Sequence, residues 1–342
     1  MDAVLDTLFY AVEEASGGAF PENRTLFIGG RFHPSLRRFD SNRIVIQQHF
    51  KPYESLLKRE GFSVTPDMPE GGGDGFDMVM VLAPKNITEA RFFLAQAFRN
   101  VRNGGIVLCA ADNKAGGNRL EKMLQQFGVS PGGKISKNHA KAVYAPSHEV
   151  DERAVDEAIE AGRVQNIENG RYLSQPGVFS WNRVDRGSEL LSEFLPEELI
   201  GVCGDFGCGY GYLSRRILER HQGIQEMVCA DADYRALNLC KENLKNFSVR
   251  KRFVWEDLTR KCKSLYDLDV IVMNPPFHKG RNTEAEIGRG FIATAREALR
   301  RGGHLYMVAN RHLPYETLLR ELFTESTMLH EREGYKVFFA VR

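Results

Sequence analysis

The hydrophobic positions of the chain fall into short apolar runs separated by amphipathic stretches. Two of these runs, 76–81 and 268–273, are rich in Val, Ile, Leu and Met, and each carries an aspartate at its second position. A continuous apolar run of this length is typical of a strand buried on both faces of a parallel sheet. The pattern therefore predicts an α/β protein with one such central strand in each half.

After each of these runs, the same elements are predicted in the same order. A helix comes first, then a Gly-Gly pair that we expect to end it, because glycine suits the left-handed residue after a helix. A strand, a second helix and a closing strand follow. The elements are 90–102, 104–105, 106–110, 118–127 and 141–144 in the first half, and 292–301, 302–303, 304–309, 315–323 and 336–339 in the second. The shared order indicates a duplicated α/β fold, with two unrelated α/β domains as the alternative.

The length of the chain, 342 residues, fits about two domains. We predict a first domain over 1–150, a linker over 151–174 and a second domain over 175–342. The linker is expected because a short acidic helix at 151–161 is followed by turn-prone residues at 166–170.

Charge and cysteine content exclude several classes of protein. The chain has 46 basic and 45 acidic residues, and its net charge of +1 excludes a strongly basic nucleic-acid coat protein. No apolar run is long enough for a membrane span, and the acidic first residues do not resemble a secretion signal. Six cysteines without a CxxC pair predict reduced thiols in a cytoplasmic protein and no metal site.

The strongest local signal is the segment 202–213, where a predicted strand leads into a glycine-rich turn. Gly207 and Gly209 allow the backbone to pass close to a ligand, and Cys208 lies between them. Asp205 would repel the diphosphate of a dinucleotide but suits a positively charged group. The turn therefore indicates a binding site for S-adenosylmethionine (AdoMet), whose methionine end is cationic. The alternative is a plain tight turn that binds no ligand.

Two later strand ends are the predicted contacts for the rest of a nucleoside. Asp231 ends the next strand, where a carboxylate can accept from both ribose hydroxyls. Asp233 is the competing candidate, or it caps the following helix. After the third strand, Asp257 can accept from an adenine amine and Leu258 can offer its backbone N–H, unless Asp257 is an ordinary turn residue.

The segment 274–278, Asn-Pro-Pro-Phe-His, follows the fourth predicted strand. Its prolines fix the backbone, so that the Asn274 side chain and the Pro275 carbonyl can accept from one NH₂ group. Phe277 offers a flat face on which a planar base can stack. A rigid turn without chemistry is the alternative. We instead predict methyl transfer to an exocyclic amine, because two acceptors on the amine stabilise its developing positive charge.

Cations follow this segment directly. Lys279 and Arg281 lie on the loop where the substrate must enter, so we expect them to contact phosphate. His278 can stack, contact phosphate or be merely structural.

The first half lacks these chemical groups. Its counterpart of the glycine loop, 26–32, has no GxGxG spacing and carries Arg31, and its counterpart of the Asn-Pro-Pro segment is 82–85, which ends in Lys85. A cationic cofactor would be repelled, so we predict a degenerate domain that binds none. Five arginines within 24–43 leave open an RNA-binding surface or a solvated face.

These motifs resemble those of class I AdoMet-dependent methyltransferases that methylate nitrogen. The 274–278 segment, together with Pro-Gly-Val-Phe-Ser at 176–180 and Asp185, Gly187 and Ser188, is similar to the bacterial small-subunit ribosomal RNA guanine-N2 methyltransferase family. The resemblance implies two tandem Rossmann-like domains arising from duplication, the first degenerate. It also implies N2-methylguanine as the product, the assembled small subunit as the substrate, and Phe179 on the substrate side.

Three other functions stay open at this point. A large-subunit guanine-N2 methyltransferase has the same architecture and motif, and a protein glutamine methyltransferase acting on a release factor also methylates an NH₂ group. A non-catalytic AdoMet-binding or RNA-binding scaffold is the third, although Asn274 and Phe277 argue against it. We expect a monomer, because two copies within one chain can replace a dimer.

Overall fold

The computed structural model of the protein describes residues 2–18, 24–69, 75–276 and 281–342. The chain divides into two compact units, Met1–Val164 and Gln165–Arg342. Within the described ranges, no helix is long and apolar enough to cross a membrane.

The first unit alternates helices and strands along most of its length. Its elements in chain order are α1 (Ala3–Ala15), β1 (Thr25–Ile28), β2 (Ile44–Gln47), α2 (Lys51–Arg59), β3 (Val64–Thr65), β4 (Phe76–Leu82), α3 (Ile87–Asn100), β5 (Val101–Asp112), α4 (Leu120–Gln125), β6 (Gly133–Lys137), β7 (Ala140–Pro146) and α5 (Glu152–Gly162).

The second unit begins with a small hairpin and then repeats the same kind of order. Its elements are β8 (Gln165–Ile167), β9 (Tyr172–Ser174), α6 (Arg186–Glu193), β10 (Gly201–Phe206), α7 (Tyr212–Arg220), β11 (Ile224–Asp231), α8 (Tyr234–Asn243), β12 (Arg250–Trp255), β13 (Leu268–Met273), α9 (Arg281–Ala298), β14 (Leu299–Asn310), α10 (Glu316–Leu322), β15 (Glu325–Arg332) and β16 (Tyr335–Val341).

The main sheets of the two units have the same topology. In the described part of the chain, each has seven strands, in the order β3-β2-β1-β4-β5-β7-β6 in the first unit and β12-β11-β10-β13-β14-β16-β15 in the second. Both sheets are mixed, because β7 and β16 run antiparallel to the strands beside them. The predicted fold of two tandem Rossmann-like α/β domains is confirmed.

The Gly-Gly pairs do not end helices, contrary to the prediction. The helices α3 and α9 end at Asn100 and Ala298, and the glycines lie inside the strands that follow. In both sheets the pairing register shifts at this point, so that the residues around the glycines bulge out of the ladder. Gly104 and Gly302 have φ of 74° and 72°, and this positive φ serves the bulge.

The aspartates at the start of the two central strands, Asp77 on β4 and Asp269 on β13, hold these bulges in place. Asp77 accepts from the Arg102 guanidinium at 2.6 Å and from the Arg24 backbone N–H at 2.9 Å. Asp269 likewise accepts from the Arg300 guanidinium and from the Val202 backbone N–H. Each carboxylate therefore joins the bulge to the start of the neighbouring strand, which is β1 in the first unit and β10 in the second. This shared arrangement supports the duplication.

The predicted linker 151–174 is not an independent segment. Its first part is α5, which is capped by Asp151 and packs into the core of the first unit through Val155 and Ala158. Its second part is the β8–β9 hairpin, where Tyr172 is buried in a small core of the second unit. Apolar side chains on both parts are buried, so the structure divides the chain between Val164 and Gln165 instead.

Candidate functional site

The glycine loop joins β10 to α7 in the second unit. Asp205 is fully buried on β10, and its Oδ2 accepts from the Ser214 backbone N–H at 3.0 Å and from the Ser214 hydroxyl at 2.6 Å. Its other oxygen, Oδ1, is buried and has no hydrogen-bond partner among the described residues. Burial raises the pKa of the Asp205 carboxyl to about 8, although the Ser214 hydrogen bonds oppose the shift. Asp205 thus holds the first turn of α7 and keeps one acceptor oxygen unused.

The loop itself is shaped for close approach of a ligand. Gly207 and Gly209 have φ of 77° and 55°, which favours glycine at both positions. A Cβ on Gly209 would meet no atom within 4 Å, so this side of the loop faces open space. Cys208, between them, is buried, and its thiol contacts those of Cys229 and Cys240. Gly209 therefore lies on the open side of the loop, Gly207 packs near the Phe291 ring and the Asn274 carbonyl, and Cys208 anchors the loop.

Asp231 ends β11 and binds this loop. Its Oδ2 accepts from the Gly209 backbone N–H and its Oδ1 from the Asp233 backbone N–H, both at 2.8 Å. Burial raises the pKa of the Asp231 carboxyl to about 6, and the negative charge of Asp233 adds to the shift. Each carboxylate oxygen retains a second lone pair, so Asp231 can hold the loop and accept from a ligand hydroxyl together.

The neighbouring acids have local partners. Asp233 is the N-cap of α8 and also pairs with Arg235 at 2.9 Å. These contacts are those expected if Asp233 caps the helix. Asp257 accepts from the backbone N–H and hydroxyl of Thr259, at 3.0 and 2.6 Å. Leu258 is buried. A contact of Asp257 with adenine therefore has to be made beside its bonds to Thr259, and stays a prediction.

Asn274 follows β13 and is held by two groups that the sequence did not assign to chemistry. Its Nδ2 donates to Asp185 Oδ2 at 2.7 Å and to the Ser188 hydroxyl at 2.8 Å. Asp185 is the N-cap of α6, and Ser188 lies in the first turn of that helix. Both NH₂ hydrogens are thereby engaged, so the amide oxygen of Asn274 remains as an acceptor.

One cleft collects most of these parts. Its lining includes Phe179, Asp185 and Ser188 from one side, Gly207, Cys208 and Gly209 from the loop, and Asn274. Phe179 is 37% exposed, and the adjacent Ser180 has φ of 53°, an uncommon backbone conformation for a residue with a side chain. The structure thus brings Phe179, the glycine loop and Asn274 to one cleft, and their roles there stay predictions. Pro275 is buried directly beyond Asn274.

Part of the predicted substrate site lies outside the described residues. Phe277, His278 and Lys279 belong to this part, and Arg281 is described only as the backbone start of α9. Their roles stay predictions. Within the described ranges, no group of three His, Cys, Asp or Glu residues is placed to hold a metal ion.

Strand pairing aligns the first unit with this site. The pairs that fix the alignment are Ile28 with Gln47 and Val81 in the first unit, and Phe206 with Ala230 and Met273 in the second. Phe27, Gln48 and Leu82 therefore occupy the positions of Asp205, Asp231 and Asn274. The two carboxylates and the asparagine that are predicted to bind or react in the second unit are thus all replaced in the first.

In the first unit, the polar side chains near the corresponding strand ends bind other groups of the chain. Gln48 is buried, and its side chain donates to the Gly30 carbonyl at 2.7 Å. Arg31, which the sequence placed near the missing acid, pairs with Asp2 at 2.8 Å. Of the other arginines in this span, Arg37, Arg38 and Arg43 also pair with carboxylates. The chain thus satisfies these polar groups itself.

Two family models match the chain. The Methyltransferase small domain matches residues 169–339, and the Methyltransferase small domain N-terminal matches residues 18–149. These ranges agree with the two structural units.

Curated relatives share one description, Ribosomal RNA small subunit methyltransferase C. The protein from Shewanella amazonensis is 31% identical over 267 residues, which cover 77% of this chain and 76% of the relative. The protein from Salmonella newport is 27% identical over 94% of this chain and 93% of its own. Among solved structures, a T. thermophilus 16S rRNA N2 methyltransferase in complex with AdoMet and guanosine covers 99% of this chain and 91% of its own, with a TM-score of 0.79 and 23% identity. This last likeness shows the shared fold.

Proposed function

The chain belongs to the ribosomal RNA small subunit methyltransferase C family, and on that premise we propose that it transfers a methyl group from AdoMet to the exocyclic N2 amine of a guanine in small-subunit ribosomal RNA. The observation that carries the proposal is the Asn274 amide, held by Asp185 and Ser188 in the cleft that the glycine loop also lines.

The residues of the second unit fit AdoMet. Gly209 leaves open space along the loop, and the Asp205 Oδ1, which has no hydrogen-bond partner among the described residues, is available to a positively charged group. Asp231 would hold the ribose hydroxyls through its remaining lone pairs. Asp257 and the Leu258 backbone are our candidates for the adenine. Because the first unit has Phe27 and Gln48 in place of the two acids, we propose one AdoMet per chain.

When bound, AdoMet supplies an electrophilic methyl group on a sulfonium centre. The Asn274 Oδ1 accepts from one hydrogen of the guanine amine, and the Pro275 carbonyl is proposed to accept from the other. These acceptors direct the nitrogen lone pair away from themselves and stabilise the positive charge that develops on nitrogen. Phe277, and Phe179 on the rim of the cleft, would stack on the base once it leaves its helix.

The partner proposed is the assembled small ribosomal subunit. This choice follows the relatives, whose description names the small-subunit ribosomal RNA, and extends it from the RNA to the particle. We also propose a monomer, since one chain already carries two copies of the fold. A cytoplasmic location is inferred, because six cysteines without a CxxC pair favour a reducing compartment.

Methyl incorporation from labelled AdoMet tests the function directly. Purified chain is mixed with unmethylated small subunits, unmethylated large subunits or a release factor, and the labelled product is digested and identified. Incorporation into the small subunit as N2-methylguanine is the expected result. Label in the large subunit or on a glutamine of the release factor would transfer the proposal to one of those substrates. Incorporation into none of them would contradict it.

The affinity for AdoMet is expected to rise with pH between pH 6 and pH 7.5. The raised pKa values of Asp205, about 8, and of Asp231, about 6, mean that both carboxyls hold protons in part of this range in the free protein. A cationic ligand favours the ionised carboxylates, so its binding should release protons. Titration calorimetry in two buffers of different ionisation enthalpy measures the number released.

Asp205→Asn is the control for this effect, because an asparagine oxygen can still accept from Ser214. The variant should release fewer protons per AdoMet bound and should show a shallower rise of affinity with pH. Identical proton release by this variant and the wild type would contradict the assignment to Asp205.

Replacing Lys279 and Arg281 with alanine is expected to weaken binding of the RNA substrate. The logarithm of the association constant should depend less steeply on the logarithm of the salt concentration, by roughly one unit per lost phosphate contact. Filter binding at several salt concentrations measures this slope. Replacing Arg153 and Arg163 with alanine removes two exposed cations of the first unit and serves as the charge-matched control. An unchanged slope in the double variant would show that these side chains are merely solvated.

A further inference from the structure

We propose that Asp185 and Ser188 are positioning residues that fix the orientation of the Asn274 amide, so that its oxygen and not its NH₂ group faces the guanine amine. The proposal rests on the proposed function for the identity of the substrate amine. It concerns residues that the reaction itself does not require to touch substrate or cofactor.

The two ends of an asparagine amide have opposite hydrogen-bonding character. Rotation by half a turn exchanges them and would turn Asn274 from an acceptor for the substrate amine into a donor against it. Only the acceptor orientation stabilises the positive charge that develops on nitrogen. The enzyme therefore needs a group that distinguishes the two orientations.

Asp185 makes this distinction. Its carboxylate has no hydrogen to donate, so the reversed amide would place two oxygens in contact where the structure has a 2.7 Å hydrogen bond from Nδ2. The Ser188 hydroxyl accepts the second hydrogen at 2.8 Å but could also donate to a reversed amide. Asp185 thus selects the orientation, and Ser188 completes it.

The local backbone is arranged to place this carboxylate. The same Oδ2 atom accepts from the Ser188 backbone N–H at 2.8 Å as the N-cap of α6. A Cβ at Gly187 would lie 3.1 Å from that oxygen and 3.0 Å from the Tyr335 ring. Glycine at this position therefore allows the carboxylate to fold over the helix end and still reach Asn274.

The first unit separates capping from this second role. Its α1 packs on β5 and β7 as α6 packs on β14 and β16, and it is likewise capped by an aspartate, Asp2. Where Asn274 stands in the second unit, however, the first has Leu82, and Asp2 pairs with Arg31 instead. Capping is thus present in both units, whereas the bond to an asparagine accompanies only the unit with the candidate active site.

The test compares Asp185→Ser with Asp2→Ser. Serine is an effective N-cap, but its shorter side chain cannot bridge the helix end to Asn274. We expect Asp185→Ser to lower kcat by about 10- to 100-fold, the scale on which misplacing a reacting contact slows an enzyme. The Kd for AdoMet and the KM for the ribosomal substrate should change less than about threefold. Asp2→Ser should leave all three constants unchanged.

A double variant shows whether Asp185 acts through Asn274. Adding Asp185→Ser to Asn274→Ala should lower kcat no further, because the group to be positioned is gone. Ser188→Ala should have a smaller effect, about 2- to 12-fold on kcat, as expected for one neutral hydrogen bond. Additive losses in the double variant, an unchanged kcat in Asp185→Ser, or a parallel loss of AdoMet affinity would each overturn the proposal.

A readout without substrate separates this proposal from the proposed function. Hydrogen exchange of the Asn274 side-chain NH₂, followed by NMR and identified by its absence in Asn274→Ala, should be slow in the wild type and much faster in Asp185→Ser. Fast exchange in both proteins would overturn the positioning role even if the wild type methylates guanine. If the wild type methylates none of the three substrates, only the proposed function fails, and the exchange rates still decide this proposal.

Discussion

Asn274→Ala is expected to lower kcat by about 10²–10³-fold, the loss seen when one preorganised polar contact to a transition state is removed. Alanine offers no acceptor for the substrate amine, and the loop and Asp231 that are proposed to hold the cofactor are untouched. Single-turnover kinetics at saturating AdoMet and saturating subunit measure the methyl-transfer step. The Kd for AdoMet should stay within about threefold of the wild-type value.

Asn274→Asp tests the same position with a side chain that can still accept a hydrogen bond. An aspartate retains an acceptor at this position but places a second carboxylate beside Asp185, where the structure now has a donor. Repulsion between the two groups should push the new side chain away from Asp185, so turnover should also fall. Near-normal turnover by Asn274→Ala on saturating substrate would show that the amine-acceptor mechanism is wrong.

The central part of each sheet was predictable from the sequence. The apolar runs at 76–81 and 268–273 became β4 and β13, because a buried parallel strand has to be continuously apolar. The Gly-Gly pairs misled for a physical reason: a positive φ serves both a helix end and a bulge. Only the register of the neighbouring strand, which is a long-range property, decides between them.

The antiparallel edges were the least predictable part of the sheets. The strand β15 is largely exposed and polar, so it lacks the apolar run that identified the central strands. Its strand character depends on pairing with β16. Likewise, α5 and the β8–β9 hairpin looked like a linker in the sequence. Their charged and turn-prone residues outnumber the few buried apolar side chains through which they pack.

The candidate site was predictable at its strand ends and not between them. Asp205, Asp231 and Asn274 each stand where a parallel strand ends, and the topology brings these ends to one edge of the sheet. The contact between Asp185 and Asn274 spans 89 residues of sequence, and no local pattern implies it. The spacing of Asp185 and Ser188 predicts a helix cap, and the structure has that cap. The same spacing gives no sign of the second partner of the carboxylate, which is Asn274.

The burial of Asp205 was a second feature beyond the sequence. A carboxylate next to a glycine loop suggested direct ligand contact, but one of its oxygens is bound to Ser214. Such a contact also explains why the residue is tolerated there, since a buried carboxylate without hydrogen bonds would be strongly destabilising. The unpaired oxygen is the part of the group that remains for a ligand.

Asp231→Ala is expected to weaken AdoMet binding by at least about tenfold, because hydrogen bonds to a charged acceptor contribute about 1.5–3 kcal/mol each. The variant loses the proposed acceptors for the ribose hydroxyls. It also loses the bond to the Gly209 backbone N–H, so the glycine loop is no longer held in its open shape. Titration calorimetry measures the affinity, and the wild-type protein at the same pH is the reference.

Two further variants separate these contributions and the competing acid. Asp231→Asn keeps one acceptor oxygen in place of two. That oxygen can bind the Gly209 N–H or a ribose hydroxyl, but it cannot replace all the hydrogen bonds of the carboxylate. The affinity of this variant for AdoMet should therefore fall between those of the wild type and Asp231→Ala. Asp233→Ser keeps a cap on α8 and should bind AdoMet normally, since the Asp233 carboxylate is occupied by the helix end and Arg235. Unchanged affinity in Asp231→Ala together with a loss in Asp233→Ser would assign the ribose to Asp233 instead.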